Sequence, residues 1–131
     1  MKSSFTIRYL FLLIVLITSV GCTNRTLKKD QALGITPEAV KSKIDLKQPI
    51  LIIDVRSNDE YYSGHLPGAK LFPATDIFMN VHQLPDDKEI IVYCSDGKRS
   101  LLVAKHLQAH GFRLVRRLNG GIKAWNWEIE R

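Results

Sequence analysis

Two cysteines in 131 residues are too few for a disulfide scaffold, and they stand far apart, at positions 22 and 94. Each therefore needs its own explanation. No dense basic run is present either. The 19 Lys and Arg are scattered against 13 Asp and Glu, and setting aside Lys2 and Arg8 at the N-terminus lowers the excess from six to four. That pattern argues against nucleic acid as a partner and leaves a mild preference for small anions. Internal repeats and low-complexity tracts are absent. With 45% hydrophobic and 24% charged residues the composition is that of one globular domain, which excludes a disordered, collagen-like or polytopic membrane chain.

The uncharged stretch from Tyr9 to Thr23 holds 15 residues and would make a helix of about 22 Å. A hydrocarbon core of about 30 Å is thicker than that. Lys2 and Arg8 ahead of Tyr9–Ile17, followed by Thr18-Ser19-Val20-Gly21-Cys22, instead have the order of an export signal over 1–21. The ending Gly21-Cys22 resembles the bacterial lipoprotein signal, which implies a lipidated Cys22, a membrane anchor, and a location in the cell envelope on the periplasmic side. Ser19 and Gly21 also suit ordinary signal peptidase, so a soluble exported form is the alternative. Residues 22–34 are polar and basic and read as a tether, leaving a domain over 35–131.

Within that domain, strand and helix signals alternate. Thr36-Pro37-Glu38 predicts a helix running to Asp45, with Thr36 as its cap. Ile50–Val55 and Glu89–Tyr93 are continuous aliphatic runs of the kind buried on both faces of a parallel sheet. A helix is predicted over Ser100–His110, closed by Gly111, and a strand over Arg113–Leu118. The fold class is α/β with a central parallel sheet. Ligands of such sheets sit beyond the carboxyl ends of the strands, where Tyr93 runs into Cys94-Ser95-Asp96-Gly97-Lys98-Arg99-Ser100.

A thiol between a buried strand and a helix start faces unpaired backbone N–H groups and the positive end of the helix dipole. Gly97 permits a tight curl of the loop, and Lys98 and Arg99 add positive charge. The expected result is a reactive thiolate at Cys94.

Four segments together carry a family resemblance. Asp54-Val55-Arg56 with Glu60 and Tyr61, Ser63-Gly64-His65-Leu66-Pro67-Gly68-Ala69, the Cys94–Ser100 loop, and Asn119-Gly120-Gly121-Ile122-Lys123-Ala124-Trp125 resemble, in order, the motifs of the rhodanese family of sulfurtransferases. The resemblance implies a five-stranded parallel sheet flanked by helices, a catalytic Cys94 cycling through a persulfide, and no metal or organic cofactor. It further implies a small anionic donor such as thiosulfate and a thiophilic acceptor such as cyanide or a thiol. Ser95, Asp96, Gly97, Lys98, Arg99 and Ser100 would bind the substrate, the two cations attracting it. Asp54, Arg56 and Glu60 are expected as an internal charge network, His65 as the organiser of its own turn, and Gly120-Gly121 as a close turn against the loop. A sulfur carrier, or a binding module for another envelope protein, is the alternative role.

A phosphatase or arsenate reductase fits less well, because such loops place an Arg six positions after the Cys and here Ser100 is sixth and Arg99 fifth. Gly97-Lys98 lacks the earlier glycine of a phosphate-binding nucleotide loop, since Val92 stands there. His106 and His110 lack both a glutamate between them and a third ligand, and are expected at the surface. Trp125 is expected inside and Trp127 partly exposed.

Overall fold

The computed structural model describes residues 28–131. The expected export signal and Cys22 lie outside the described residues. Two compact units divide the chain after Ala32; of the first only 28–32 are described, and they are helical.

The second unit is built on five parallel strands: β1 (Gly34–Ile35), β2 (Ile50–Asp54), β3 (Lys70–Leu71), β4 (Glu89–Tyr93) and β5 (Val115–Leu118), in the order β1-β5-β4-β2-β3. The helices are α1 (Pro37–Asp45), α2 (Asn58–Ser63), α3 (Ala74–Asn80) and α4 (Lys98–Ala109), with single 3₁₀ turns at Val81–Gln83 and Gly121–Ala124. This is the expected sheet flanked by helices. β1 takes in Gly34, the last residue of the expected tether, and Leu33 before it is buried. The two-residue strands β1 and β3 and the short helices α2 and α3 carry too few residues for a periodic signal. The long helix begins two residues earlier than predicted, at Lys98, and β5 starts at Val115.

Local chemistry explains the helix starts. Thr36 Oγ1 accepts from the amide of Ala39 at 3.2 Å, and Pro37 follows in the first turn. Ser57 and Glu60 form a reciprocal capping box on α2. α4 differs: Gly97, at φ 91°, stands at its cap position with no side-chain oxygen to accept the orphan amides.

Alternation along the central strands sorts the core into two layers. Ile90 and Val92 of β4 face Val103, Ala104 and Leu107 of α4 and Ile77 of α3. Ile91 and Tyr93 face Val40 of α1, Leu66 and Trp125 on the other side. Trp125 is buried and Trp127 half-buried, as expected. The same two-residue phase sets what emerges at the carboxyl ends. Cys94 falls in step with Ile90 and Val92 and rises on the α4 side, whereas Tyr93 points to the opposite face.

There the Tyr93 hydroxyl donates to Asp54 Oδ2 at 2.6 Å and accepts from the amide of Leu66 at 3.1 Å. Asp54, fully buried, is held in turn by Arg56, whose Nη2 lies 2.6 Å from Oδ2 and also reaches the carbonyl of Gly64 at 2.8 Å. Breaking a buried pair of this kind from one side typically costs about 3–5 kcal/mol, because the remaining charge loses its partner. Tyr93→Phe deletes only the hydroxyl and leaves the Leu66 amide unsatisfied in the interior. The variant is expected to lose about 1–3 kcal/mol in urea unfolding while keeping its far-ultraviolet circular dichroism; an unchanged midpoint would show that the hydroxyl does not tie the two strand ends together.

Candidate active site

The orphan amides of α4 find their acceptor in sulfur. Gly97 N–H donates to Cys94 Sγ at 3.2 Å and Ser100 N–H at 3.4 Å, while the thiol lies 3.6 Å from Ser100 Oγ and 3.9 Å from Asp96 Oδ1. Ser100 Oγ donates to the carbonyl of Gly97 at 3.2 Å, which holds the curl closed. Cys94 is completely buried at the floor of this loop. Of the loop amides expected to cradle the sulfur, those of Gly97 and Ser100 reach it, and that of Lys98 is engaged by Asp96 Oδ1 at 3.0 Å.

The loop is seated on the Gly120-Gly121 turn. Ile122 N–H donates to the carbonyl of Cys94 at 2.8 Å and Lys123 N–H to that of Ser95 at 3.1 Å. A methyl group on Gly121, whose φ is 62°, would collide with the Cys94 carbonyl and stand 2.6 Å from the Ser95 carbonyl carbon. The pair of glycines therefore lets the turn approach the backbone of Cys94 and Ser95.

The expected charge network divides in two. Asp54 and Arg56 form the buried pair with Tyr93 described above, but Glu60 does not join them. It reaches across from α2 to the loop, where Ser95 Oγ donates to its Oε1 at 2.8 Å and Arg99 Nη2 at 3.0 Å, with Arg99 Nη1 3.3 Å from Oε2. The two expected donor-attracting cations are thus each beside a carboxylate, Arg99 with Glu60 and the exposed Lys98 with Asp96 at 3.5 Å. Glu60 raises the affinity of Arg99 for its proton, and the nearby Cys94 sulfur adds to that effect. Asp96 is held below the usual carboxylate range, first by the Lys98 amide.

His65 is buried, stacked on Tyr61 with ring centroids 3.8 Å apart, and its backbone pairs with Glu130. Its Nδ1 lies 3.2 Å from the carbonyl of Tyr61. His110 is exposed and His106 half-buried against Phe78. Among the described residues no three His, Cys, Asp or Glu side chains gather to hold a metal ion. One residue escaped the sequence reading. Arg117 of β5 brings Nη1 to 3.3 Å from the place a Gly97 side chain would start, and its buried Nε has no hydrogen-bond partner among the described residues. Only the pairing of β5 beside β4 carries that side chain to the loop, so no motif could have signalled it.

The Arg99 guanidinium, and after it the Ser57 amide, hold the Glu60 carboxyl down to about 2 from an ordinary 4.5. A carboxyl lowered in the folded state contributes stability above its unfolded value and loses it as pH falls through the folded one. Glu60→Gln is therefore expected to melt below wild type at neutral pH. The gap should hold down to about pH 5 and close progressively toward about pH 2; thermal scans in which it stays constant with pH would contradict the ion pair.

Comparison with known proteins places these features in a wider set. The rhodanese-like domain matches residues 36–128 of this chain. YtwF of Bacillus subtilis, which carries a sulfurtransferase name, is 36% identical over 96 residues, covering 73% of this chain and 92% of its own. YrkF of the same organism, which carries a sulfur carrier name, is 31% identical over 96 residues; the chain spans about half of it, 52%. A rhodanese-like domain protein from Staphylococcus aureus, known as a crystal structure, is 32% identical with a TM-score of 0.65, over 74% of this chain and 95% of that one.

Proposed function

The chain belongs to the rhodanese-like domain family, and from that membership we propose that it is a sulfurtransferase acting through a persulfide on Cys94. The observation that carries the reading is the sulfur itself, set at the amino end of α4 as the acceptor for the Gly97 and Ser100 amides. Donors so placed stabilise negative charge on sulfur without moving during the reaction.

The Cys94 thiolate attacks the outer sulfur of thiosulfate or a similar donor. A new S–S bond forms, the donor's S–S bond breaks, and sulfite leaves with the electron pair. The persulfide then yields its outer sulfur to cyanide or a thiolate, which forms a bond to that sulfur as the Cys94 thiolate departs. Sulfur passes at one oxidation level, so no external oxidant or reductant enters. Neither half-reaction needs a general base once the thiolate exists, which agrees with the structural setting of His65. The sulfur carrier name of YrkF favours a second reading, in which the same persulfide is handed to a protein acceptor.

Treatment with thiosulfate is expected to add the mass of one sulfur to the Cys94 peptide and to release sulfite. Cys94→Ser should do neither while keeping its fold, since oxygen cannot form the persulfide. Sulfite release by that variant would exclude the mechanism. Cyanide turnover separates the enzyme from a carrier, which would load sulfur yet pass it only to its protein partner.

The leader supports a place for this chemistry in the cell envelope, with Cys22 carrying the lipid. Wild-type protein is expected in the membrane fraction and Cys22→Ala in the soluble one. A variant that stays with the membrane would replace lipid anchoring by a retained leader helix.

A further inference from the structure

One of the two cations expected to attract the donor is already engaged by a forked contact. Arg99 Nη2 lies 3.0 Å from Glu60 Oε1 and 3.2 Å from Oε2, Nη1 lies 3.3 Å from Oε2, and Ser95 Oγ donates to Oε1 at 2.8 Å. Arg99 Nη2 also stands 3.3 Å from Ser95 Oγ, so guanidinium and hydroxyl converge on one carboxylate. A planar fork joined by a hydroxyl is how proteins receive a free carboxylate or oxyanion. Here the anion is the chain's own. Glu60 is delivered by the first turn of α2, where Oε2 also accepts from the Ser57 amide at 3.0 Å, so a separate element reaches over to the loop. Ser95 and Arg99 belong to the loop that holds the fully buried sulfur.

We propose that Glu60 is an internal stand-in for the anionic end of the sulfur donor: it occupies Arg99 and Ser95 between turnovers and is exchanged for the oxyanion of the incoming substrate. The inference rests on the sulfur-transfer reading and adds to it the residue that sets how strongly donors bearing an oxyanion are preferred. Donor affinity is lowered by the fraction of molecules in which Glu60 holds the fork. A neutral reagent that needs no cation gains nothing from the exchange. In this scheme Glu60 is a positioning residue, touching the binding groups and not the reacting sulfur.

The test compares two alkylating reagents with the same leaving group, iodoacetate and iodoacetamide, by their rates of modifying the Cys94 peptide in the full chain. Neither needs sulfur transfer, so a failure of the persulfide assay and a failure of this inference are read separately. Glu60→Gln, which keeps an acceptor for the Ser57 amide, is expected to raise the iodoacetate to iodoacetamide rate ratio about twofold to fivefold, the measure of one exposed ion pair removed from competition. It should also lower KM for thiosulfate more than it changes kcat. Arg99→Ala should lower the ratio below wild type, and adding Glu60→Gln to it should change nothing further. An unchanged or reduced ratio in folded Glu60→Gln would overturn the proposal and make Glu60 a brace for the loop. Should that variant fail to fold, Arg99→Ala decides alone: a ratio equal to that of wild type overturns the exchange.

Discussion

A sulfur atom does the work of a helix cap in this molecule. The cap residue of α4, Gly97, has no side-chain oxygen; Asp96 Oδ1 takes the Lys98 amide, and Cys94 Sγ accepts the N–H groups of Gly97 and Ser100. The arrangement couples two demands that are usually met by different residues. The helix needs an acceptor at its amino end, and the sulfur-transfer reading needs hydrogen-bond donors beside the sulfur. Because one atom meets both, the turn that starts the helix is also the floor of the site. The glycines at 97, 120 and 121 follow from this, since the loop must curl and the next turn must press against its carbonyls.

The site is held from the opposite face of the sheet as well. Asp54, Arg56 and Tyr93 join the ends of β2 and β4 and reach the Gly64–Leu66 turn, so the strand that delivers Cys94 is anchored one residue before it. A fully buried carboxylate is tolerable here because it has three donors: Tyr93 O–H, the Arg56 side chain and the Arg56 amide. It sits with Tyr93 on the layer opposite Cys94.

Charge at the mouth is balanced rather than simply basic. Lys98 faces Asp96, and Arg99 is held by Glu60, so the net excess of the chain says little about the field at the sulfur. Arg117, near Gly97 and with its Nε unpaired, remains a cation close to the loop that no carboxylate among the described residues engages.

The local signals in the chain were sufficient for the parts whose forces are local. Aliphatic runs at Ile50–Asp54 and Glu89–Tyr93, the Thr36 cap with Pro37, and the glycine-closed helix after Cys94 each announce their element through propensity or burial on both faces. Their alternation determined a parallel sheet, and with it the end at which Cys94 had to lie. The motifs around Cys94 likewise singled out the loop that curls around its sulfur. What the sequence could not convey were contacts between residues distant along the chain. β1 and β3 exist only because β5 and β2 offer them a partner. Glu60 left its presumed partners Asp54 and Arg56 for Ser95 and Arg99, 35 and 39 positions away. The reason is geometric: the capping box of α2 turns Glu60 toward the loop, whereas the closeness of Asp54 and Arg56 on one strand end makes them sufficient for each other. Spacing in sequence states which charges are available, and only the packed sheet ends decide which of them meet.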